Sequence, residues 1–306
     1  MPNVDSVSSR GLRGGGLLAR AFGLLVLAPW APAVAQPVPV RPEVLVMEAT
    51  HAAPTDEPVV AVPFGPGERL HYQVKLGVFS AGDGYLAVEG VDTTRGRETY
   101  RLGMGLEGGL LFAKVDDRYE SHLDIRSLVS RHFIRDIHEV GYKSYREWAI
   151  YPELGYWERL DESRSETMVA TEPLDELAFI FWMRTLPLEV GEVYTYHRYF
   201  KDDGNPVILK VLRRERREVP AGEFDTIVIQ PIIRTGGLFG EGGKAEIYLT
   251  DDADRFLVYL RSEIPIVGSV TLHLREVRRG TPLAVRSDVA APMEPEKGDS
   301  LSSAGR

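Results

Sequence analysis

The dominant pattern along the chain is an alternation of period two. In "LHYQVKLGV", Leu70, Tyr72, Val74, Leu76 and Val78 fall on one side, with His71, Gln73 and Lys75 on the other. Tyr100, Leu102, Met104 and Leu106 repeat the pattern in "YRLGMGLEG", and "AEIYLT", "RFLVYLR" and "SVTLHLREV" carry it toward the C-terminus. Successive side chains of a strand point to opposite faces, so this period predicts strands with one buried and one wetter face, the habit of antiparallel sheets. Turn chemistry agrees. The Asp-Gly pair in "KDDGN" (201–205) predicts a hairpin between "VYTYHRYF" and "VILKVL", and "VPAGEF" puts Pro220 and Gly222 at the second and fourth positions of a type I turn.

Only "TEPLDELAFIFWMRTLP", Thr171 to Pro187, carries a helical period, with Leu174, Leu177, Ala178, Phe181 and Trp182 at i, i+3, i+4, i+7 and i+8. Thr171 can cap its start, Pro173 is tolerated in a first turn and Pro187 forbids continuation. The segment is apolar almost all round and is therefore expected to be clamped against a sheet. The expected fold class is mainly β: a curved antiparallel sheet, sandwich or partly closed barrel, with one short buried helix.

The chain ends have a different texture. Arg10, Arg13 and Arg20 precede "AFGLLVLAPWA", and small residues at Ala33 and Ala35 follow, which reads as a secretory signal peptide over 1–35 cut after Ala35. Residues 36–63 contain six prolines and read as an extended linker, and "TPLAVRSDVAAPMEPEKGDSLSSAGR" from Thr281 reads as a disordered tail. One β-rich domain is expected between them, over 64–280. Beyond the leader no run of about 18 apolar residues occurs, so no transmembrane segment is expected in the mature chain, which places the protein in the periplasm or at the outer envelope.

Composition narrows the chemistry. The 306 residues are 43% hydrophobic and 26% charged, with no cysteine, so disulfides, thiolate nucleophiles and thiolate metal sites are excluded. Net charge is −9, and removing three Arg and one Asp with the leader makes it −11, a balance that argues against nucleic acid as a partner.

Individual motifs mostly dissolve into structure. Gly103, Gly105 and Gly108 in "GMGLEG" match G-x-G-x-x-G, but they alternate within a strand pattern and no helix follows, so no dinucleotide cofactor is expected. His122, His132 and His138 lie close in sequence without the convergent spacing of a zinc site. Arg213, Arg214, Arg216 and Arg217 in "RRERREVP" read as a solvated strand end with Glu215 and Glu218 interleaved, or as an anion site. In "TDDADRF", Asp252 and Asp254 fit the first positions of a calcium loop, but Leu257 stands where that loop needs glycine, so Asp251–Asp254 reads as the tip of a hairpin.

Two glycine-flanked loops, "EGGLLFAK" and "TGGLFGEGGK", place Leu110, Leu111, Phe112, Leu238 and Phe239 where they could line a site for a lipid or other apolar envelope ligand, or tuck back over the core.

Several motifs in order carry a resemblance: "GERLHY" (67–72), "LDELAFIFWMRTLPLEVG" (174–191), "VPAGEFDT" (219–226) and "TDDADRFLV" (250–258), then Gly268 and "SVTLHL". On these the chain resembles a bacterial exported family known only as domain of unknown function 3108. Leu257 departs from the proline that family often carries after the acidic turn. The resemblance implies a β-rich periplasmic or envelope protein and assigns no catalytic residue. Two functions stay open: a non-enzymatic module that binds an apolar ligand or serves envelope assembly, and a hydrolase of an envelope glycan or ester. The hydrolase would draw on Asp116, Asp117 and Glu120, or on Asp251–Asp254.

Overall fold

A computed structural model of the chain describes residues 59–110, 113–139, 141–233, 245–264, 268–286 and 296–297. In chain order the first strands are β1 (Val59–Ala61), β2 (Arg69–Leu76), β3 (Phe79–Thr94), β4 (Arg97–Leu110), β5 (Ala113–Asp124) and β6 (Ser130–Glu139). They continue with β7 (Tyr142–Tyr151), β8 (Tyr156–Arg159) and β9 (Arg164–Thr167), and the helix α1 (Glu176–Met183) follows. The second series is β10 (Val193–Tyr196), β11 (Val207–Val219), β12 (Gly222–Ile232), β13 (Glu246–Thr250) and β14 (Leu257–Ile264). It ends with β15 (Gly268–Arg278), β16 (Ala284–Arg286) and β17 (Glu296–Lys297).

The fold is mainly β. One antiparallel sheet of fifteen strands runs β17-β10-β11-β12-β13-β14-β15-β2-β3-β4-β5-β6-β7-β8-β9, and a separate pair joins β1 to β16. Two meanders, β2–β9 and β10–β15, are fused where the first strand of one pairs with the last strand of the other, from Arg278↔Arg69 to Val270↔Leu76. The outer edges do not meet, so the sheet curves without closing into a barrel. Just before β2 and just after β15 the backbones cross in contact: a Cβ on Gly65 would overlap Thr281, one on Gly280 would overlap Gly65, and Thr281 N donates to Pro66 O.

The alternation seen in sequence is the alternation of faces. Leu70, Tyr72 and Val74 of β2 are buried, and the register places Leu70 beside Leu86 of β3, which stands opposite Met104 of β4. The "GMGLEG" glycines serve the sheet. A Cβ at Gly105 would run into the Tyr85 ring, which lies across β4 with the Arg69 guanidinium 3.8 Å from its centroid. The "VPAGEF" turn closes on Val219↔Gly222. The connection from β10 to β11 is longer than the Asp-Gly pair implied, with a short 3-10 turn at Asp202–Gly204 held by the Asn205 side chain, which accepts from Tyr199 N at 3.0 Å.

Helix α1 is shorter than its sequence period suggests. Its cap is Asp175, not Thr171, because Leu174 is used as a bridge to Tyr199 and Pro173 O accepts from Ser130 N. All seven residues from Leu177 to Met183 are buried, so the helix packs on every side. Both of its ends are tied to polar partners in the interior. The Asp175 carboxylate accepts from Leu177 N and Ala178 N at 2.9 Å each, and from the Ser121 and Ser130 hydroxyls at 2.6 and 2.7 Å. At the other end Arg184 donates to both Glu68 oxygens, at 2.6 and 3.0 Å, and to Asp254 O at 3.0 Å. The rings of Phe64, Phe181 and Phe256 surround its guanidinium at 5.4–5.6 Å. Ser121 lies late in β5, Ser130 opens β6, Glu68 precedes β2 and Asp254 sits between β13 and β14. In an antiparallel array these positions share one end of the sheet, so the helix closes that end.

Arg184 and Glu68 are each only 2% exposed, and removing one partner leaves an uncompensated buried charge. Arg184→Ala is expected to lower unfolding free energy by about 3–5 kcal/mol, whereas Glu68→Leu with Arg184→Met should recover most of that loss. Urea unfolding monitored by tryptophan fluorescence measures both; equal losses would contradict this account of the pair.

Candidate functional site

The inner surface of β5, β6 and β7 carries ionisable groups where a closed core would carry apolar ones. Residues of alternate position share a face, and the register sets Ser121, Phe133 and Trp148 side by side. One step further from the helix end come Tyr119, Arg135 and Arg146, then Ile137 and Ser144, and then Val115, Glu139 and Tyr142. Asp117, between Tyr119 and Val115 on β5, belongs to the same face. Glu176 in the first turn of α1 and Lys201 between β10 and β11 complete the group. Tyr199 Oη donates to Glu176 Oε1 at 2.5 Å, and Lys201 Nζ stands 4.2 Å from the centroid of the Trp148 ring.

These groups are buried but incompletely partnered. Asp117 is fully buried, and Arg135 and Glu139 are each 6% exposed. His138 N donates to Asp117 Oδ1 at 3.0 Å, but Asp117 Oδ2, both Glu139 oxygens, Arg135 Nε and Nη2, Arg146 Nε, Trp148 Nε1 and Glu176 Oε2 have no hydrogen-bond partner among the described residues. Buried polar groups are nearly always paired, and each exception costs about 1–3 kcal/mol. Several lie together on this face.

The electrostatics follow from burial. Loss of solvent, followed by the nearby Asp117 charge, pushes Glu139 up to about 8. Loss of solvent pushes Asp117 up to about 6, against the pull of the His138 amide and Arg135. Burial draws Lys201 down to about 8, and burial together with Arg135 lowers Arg146. At neutral pH Glu139 therefore holds its proton while the guanidinium groups keep their charge. The surface can donate hydrogen bonds to an anion, and Asp117 and Glu139 can hold or move a proton.

The structure sorts the residues singled out in sequence. Asp116 and Asp117 point to opposite faces: Asp116 pairs with Arg118 at 3.4 Å on the outer side, and Asp117 faces inward. Glu120 is outward with His122, at 3.0 Å. Asp251–Asp254 form a turn, since Asp252 Oδ1 accepts from Asp254 N at 3.0 Å, from Arg255 N at 3.2 Å and from the Thr250 hydroxyl at 2.6 Å. The arginines of "RRERREVP" are divided. Arg213 meets Glu215 and Glu246, Arg214 meets Asp251, Arg216 meets Asp225, and Arg217 lies 3.7 Å over the Tyr259 ring. His122 and His132 touch edge to face at 5.2 Å, but each ring also meets a carboxylate, Glu120 and Glu147 respectively. Among the described residues no group of three or more metal-ligating side chains converges.

Leu111, Phe112, Leu238 and Phe239 lie outside the described residues, and of Leu110 only the backbone, as the last residue of β4, is described. Sequence reasoning missed Arg135, Glu139, Arg146 and Lys201. A signal was present: in "SRHFIRDIHE", Arg135 and Glu139 alternate with Phe133 and Ile137 on the face that period two assigns to the core.

The family model described as "Protein of unknown function (DUF3108)" matches residues 71–275. No curated protein matches the chain. Among solved structures, a beta-barrel-like protein of domain DUF1849 from Brucella abortus is similar, at 10% identity and a TM-score of 0.45, covering 72% of this chain and all of its own. The hypothetical protein CT021 from Chlamydia trachomatis is similar at 10% identity and a TM-score of 0.32, covering 74% of this chain and 93% of its own. A "putative lipoprotein" from Parabacteroides distasonis is similar at 10% identity and a TM-score of 0.31, covering 71% of this chain and 99% of its own.

A carboxyl held above its ordinary range destabilises the fold once it must ionise, so its penalty grows as pH rises from the unfolded value to the folded one. For Glu139 that window runs from 4.5 to about 8, and for Asp117 from 3.8 to about 6. Glu139→Gln is expected to be more stable than the parent at pH 8, by about 1 kcal/mol or more, and to lose that advantage by pH 5. Urea midpoints at the two pH values decide it; a constant difference would assign Glu139 no proton linkage.

Proposed function

The chain belongs to the DUF3108 family, and from that premise we propose that it is an exported cell-envelope binding module, non-enzymatic, that takes a small molecule against the inner face of its sheet. The observation that carries this reading is the set of buried donors and acceptors on β5–β7 that have no partner among the described residues. Helix α1 occupies the interior at one end, which confines the ligand volume to the other. At that other end the β2–β3 hairpin exposes Val78 at 87% and Phe79 at 61%. Large apolar groups left bare at the mouth of a curved sheet suit a lipid or other apolar envelope molecule. Export is supported by the Arg-flanked apolar leader and the small residues at Ala33 and Ala35. Among the described residues no helix is long and apolar enough to cross a membrane.

A second reading has its own observation. Asp117 and Glu139 are two inward carboxyls raised by burial, and their proton affinities are set apart because the His138 amide supports the Asp117 charge while that charge raises Glu139, a pairing of the kind that hydrolysis by two carboxyls uses. Turnover of a glycosidic or ester panel that vanishes in Asp117→Asn would favour a hydrolase over the binding module.

Native mass spectrometry of protein purified from its envelope, before and after organic extraction, tests the main reading. A bound small molecule that leaves on extraction is the expected outcome; an adduct-free spectrum in both states is the contrary one.

A further inference from the structure

Arg135 and Arg146 face each other directly across the β6–β7 ladder. Directly opposed side chains on one face sit about 5 Å apart at Cβ, and like charges so placed are destabilising. A fold that keeps two arginines there ordinarily slips a carboxylate between them. Here the Asp117 and Glu139 carboxyls lie near Arg135, yet among the described residues Arg135 Nε and Nη2 and Arg146 Nε have no hydrogen-bond partner, and Arg135 is 6% exposed. Glu139, four residues along β6 on the same face as Arg135, leaves both its oxygens without a partner among the described residues. Lys201 adds a third cation, its Nζ above the Trp148 ring, and Trp148 Nε1 is a further unused donor.

We infer that Arg135 and Arg146 seat an oxyanion, the carboxylate or phosphate group of the ligand held on the inner face. This rests on the binding-module reading and names the chemistry of its ligand's head. Guanidinium groups present their N–H donors in a rigid fork matched to planar or tetrahedral oxyanions. A pair of such forks opposed across two strands brackets one oxyanion from both sides. Burial excludes competing water and strengthens the attraction. Glu139, which keeps its proton at neutral pH, adds an O–H donor instead of a repelling charge. Asp117, raised only to about 6, keeps its negative charge near neutrality and balances part of the positive charge, so the site takes one anionic group and not a polyanion.

Isothermal titration of the purified protein with laurate, with dodecanol and with inorganic phosphate tests the inference. Laurate and dodecanol share a tail and differ in the charged head; phosphate is a head without a tail. Laurate is expected to bind the parent, to weaken at least tenfold in Arg135→Gln and in Arg146→Gln, and to be unchanged in Arg216→Gln on the outer surface. Dodecanol should bind all four proteins alike. Phosphate binding with the same arginine dependence would also support the oxyanion site and identify its occupant as a free anion. Laurate affinity undiminished in both inner-face variants would overturn the oxyanion site while leaving the binding module standing. Failure of laurate, dodecanol and phosphate alike to bind would overturn both. Because one arginine of an opposed pair is removed, each variant should melt no lower than the parent. Should one melt lower, Arg135→Lys provides the second comparison: it keeps the charge and loses the fork, and is expected to bind laurate more weakly than the parent. Equal binding by the parent and Arg135→Lys would overturn the role of the guanidinium.

Discussion

A helix enclosed by apolar walls has nowhere to send the unpaired amides and carbonyls of its ends, and the rest of this structure depends on how that constraint is met. At the start of α1 the Asp175 carboxylate takes two backbone amides and two serine hydroxyls. At its end Arg184 is held by Glu68 and the Asp254 carbonyl inside a cage of three phenylalanines. Each tie reaches a different part of the sheet, so fixing the helix also fixes the spacing of β2, β5, β6 and the β13–β14 turn. Burial of a charged group is tolerable only when nearly every donor and acceptor is used, and Arg184 and Asp175 come close to that. The inner-face residues Arg135, Glu139 and Asp117 do not, and the contrast within one interior separates a fully tied polar network from one with unused donors and acceptors.

The same contrast accounts for what the sequence disclosed. Period two in "LHYQVKLGV" and "SVTLHLREV" located β2 and β15 because only one face of each is apolar, and their partnership follows from no local signal. The motifs that carried the family resemblance turn out to converge. Glu68 from "GERLHY", Asp175 and Arg184 from the helix segment, and Asp254 and Phe256 from "TDDADRF" all hold α1 in place. They mark the fold and say little about activity. The inner-face cluster was harder to read: period two puts Arg135 and Glu139 on the core face with Phe133 and Ile137, but only the register brings Arg146 beside them. The helix cap was misplaced at Thr171 since tertiary pairing of Leu174 with Tyr199 overrides local propensity.

Opposed arginines and unused carboxylates lower stability where they sit, and a sheet that keeps them does so at the expense of packing. Their position is consistent with a division of labour along the strands. One end is sealed by the helix and its ion pair, and the other leaves polar groups inside and Val78 and Phe79 outside. Local departures from good packing concentrate where a protein meets other molecules.

The pairing of β2 with β15 has a kinetic meaning. It joins residues roughly two hundred positions apart, and contacts of such long range close late because the intervening chain must first lose its freedom. The ties of α1 straddle this seam, since Glu68 lies before β2 while Asp254 lies only fourteen residues short of β15. Neither meander can lock the helix alone. The first meander can tie the Asp175 end of the helix through Ser121 and Ser130, but the Arg184 end is completed only with Asp254 of the second, so the closed interior is expected to form last.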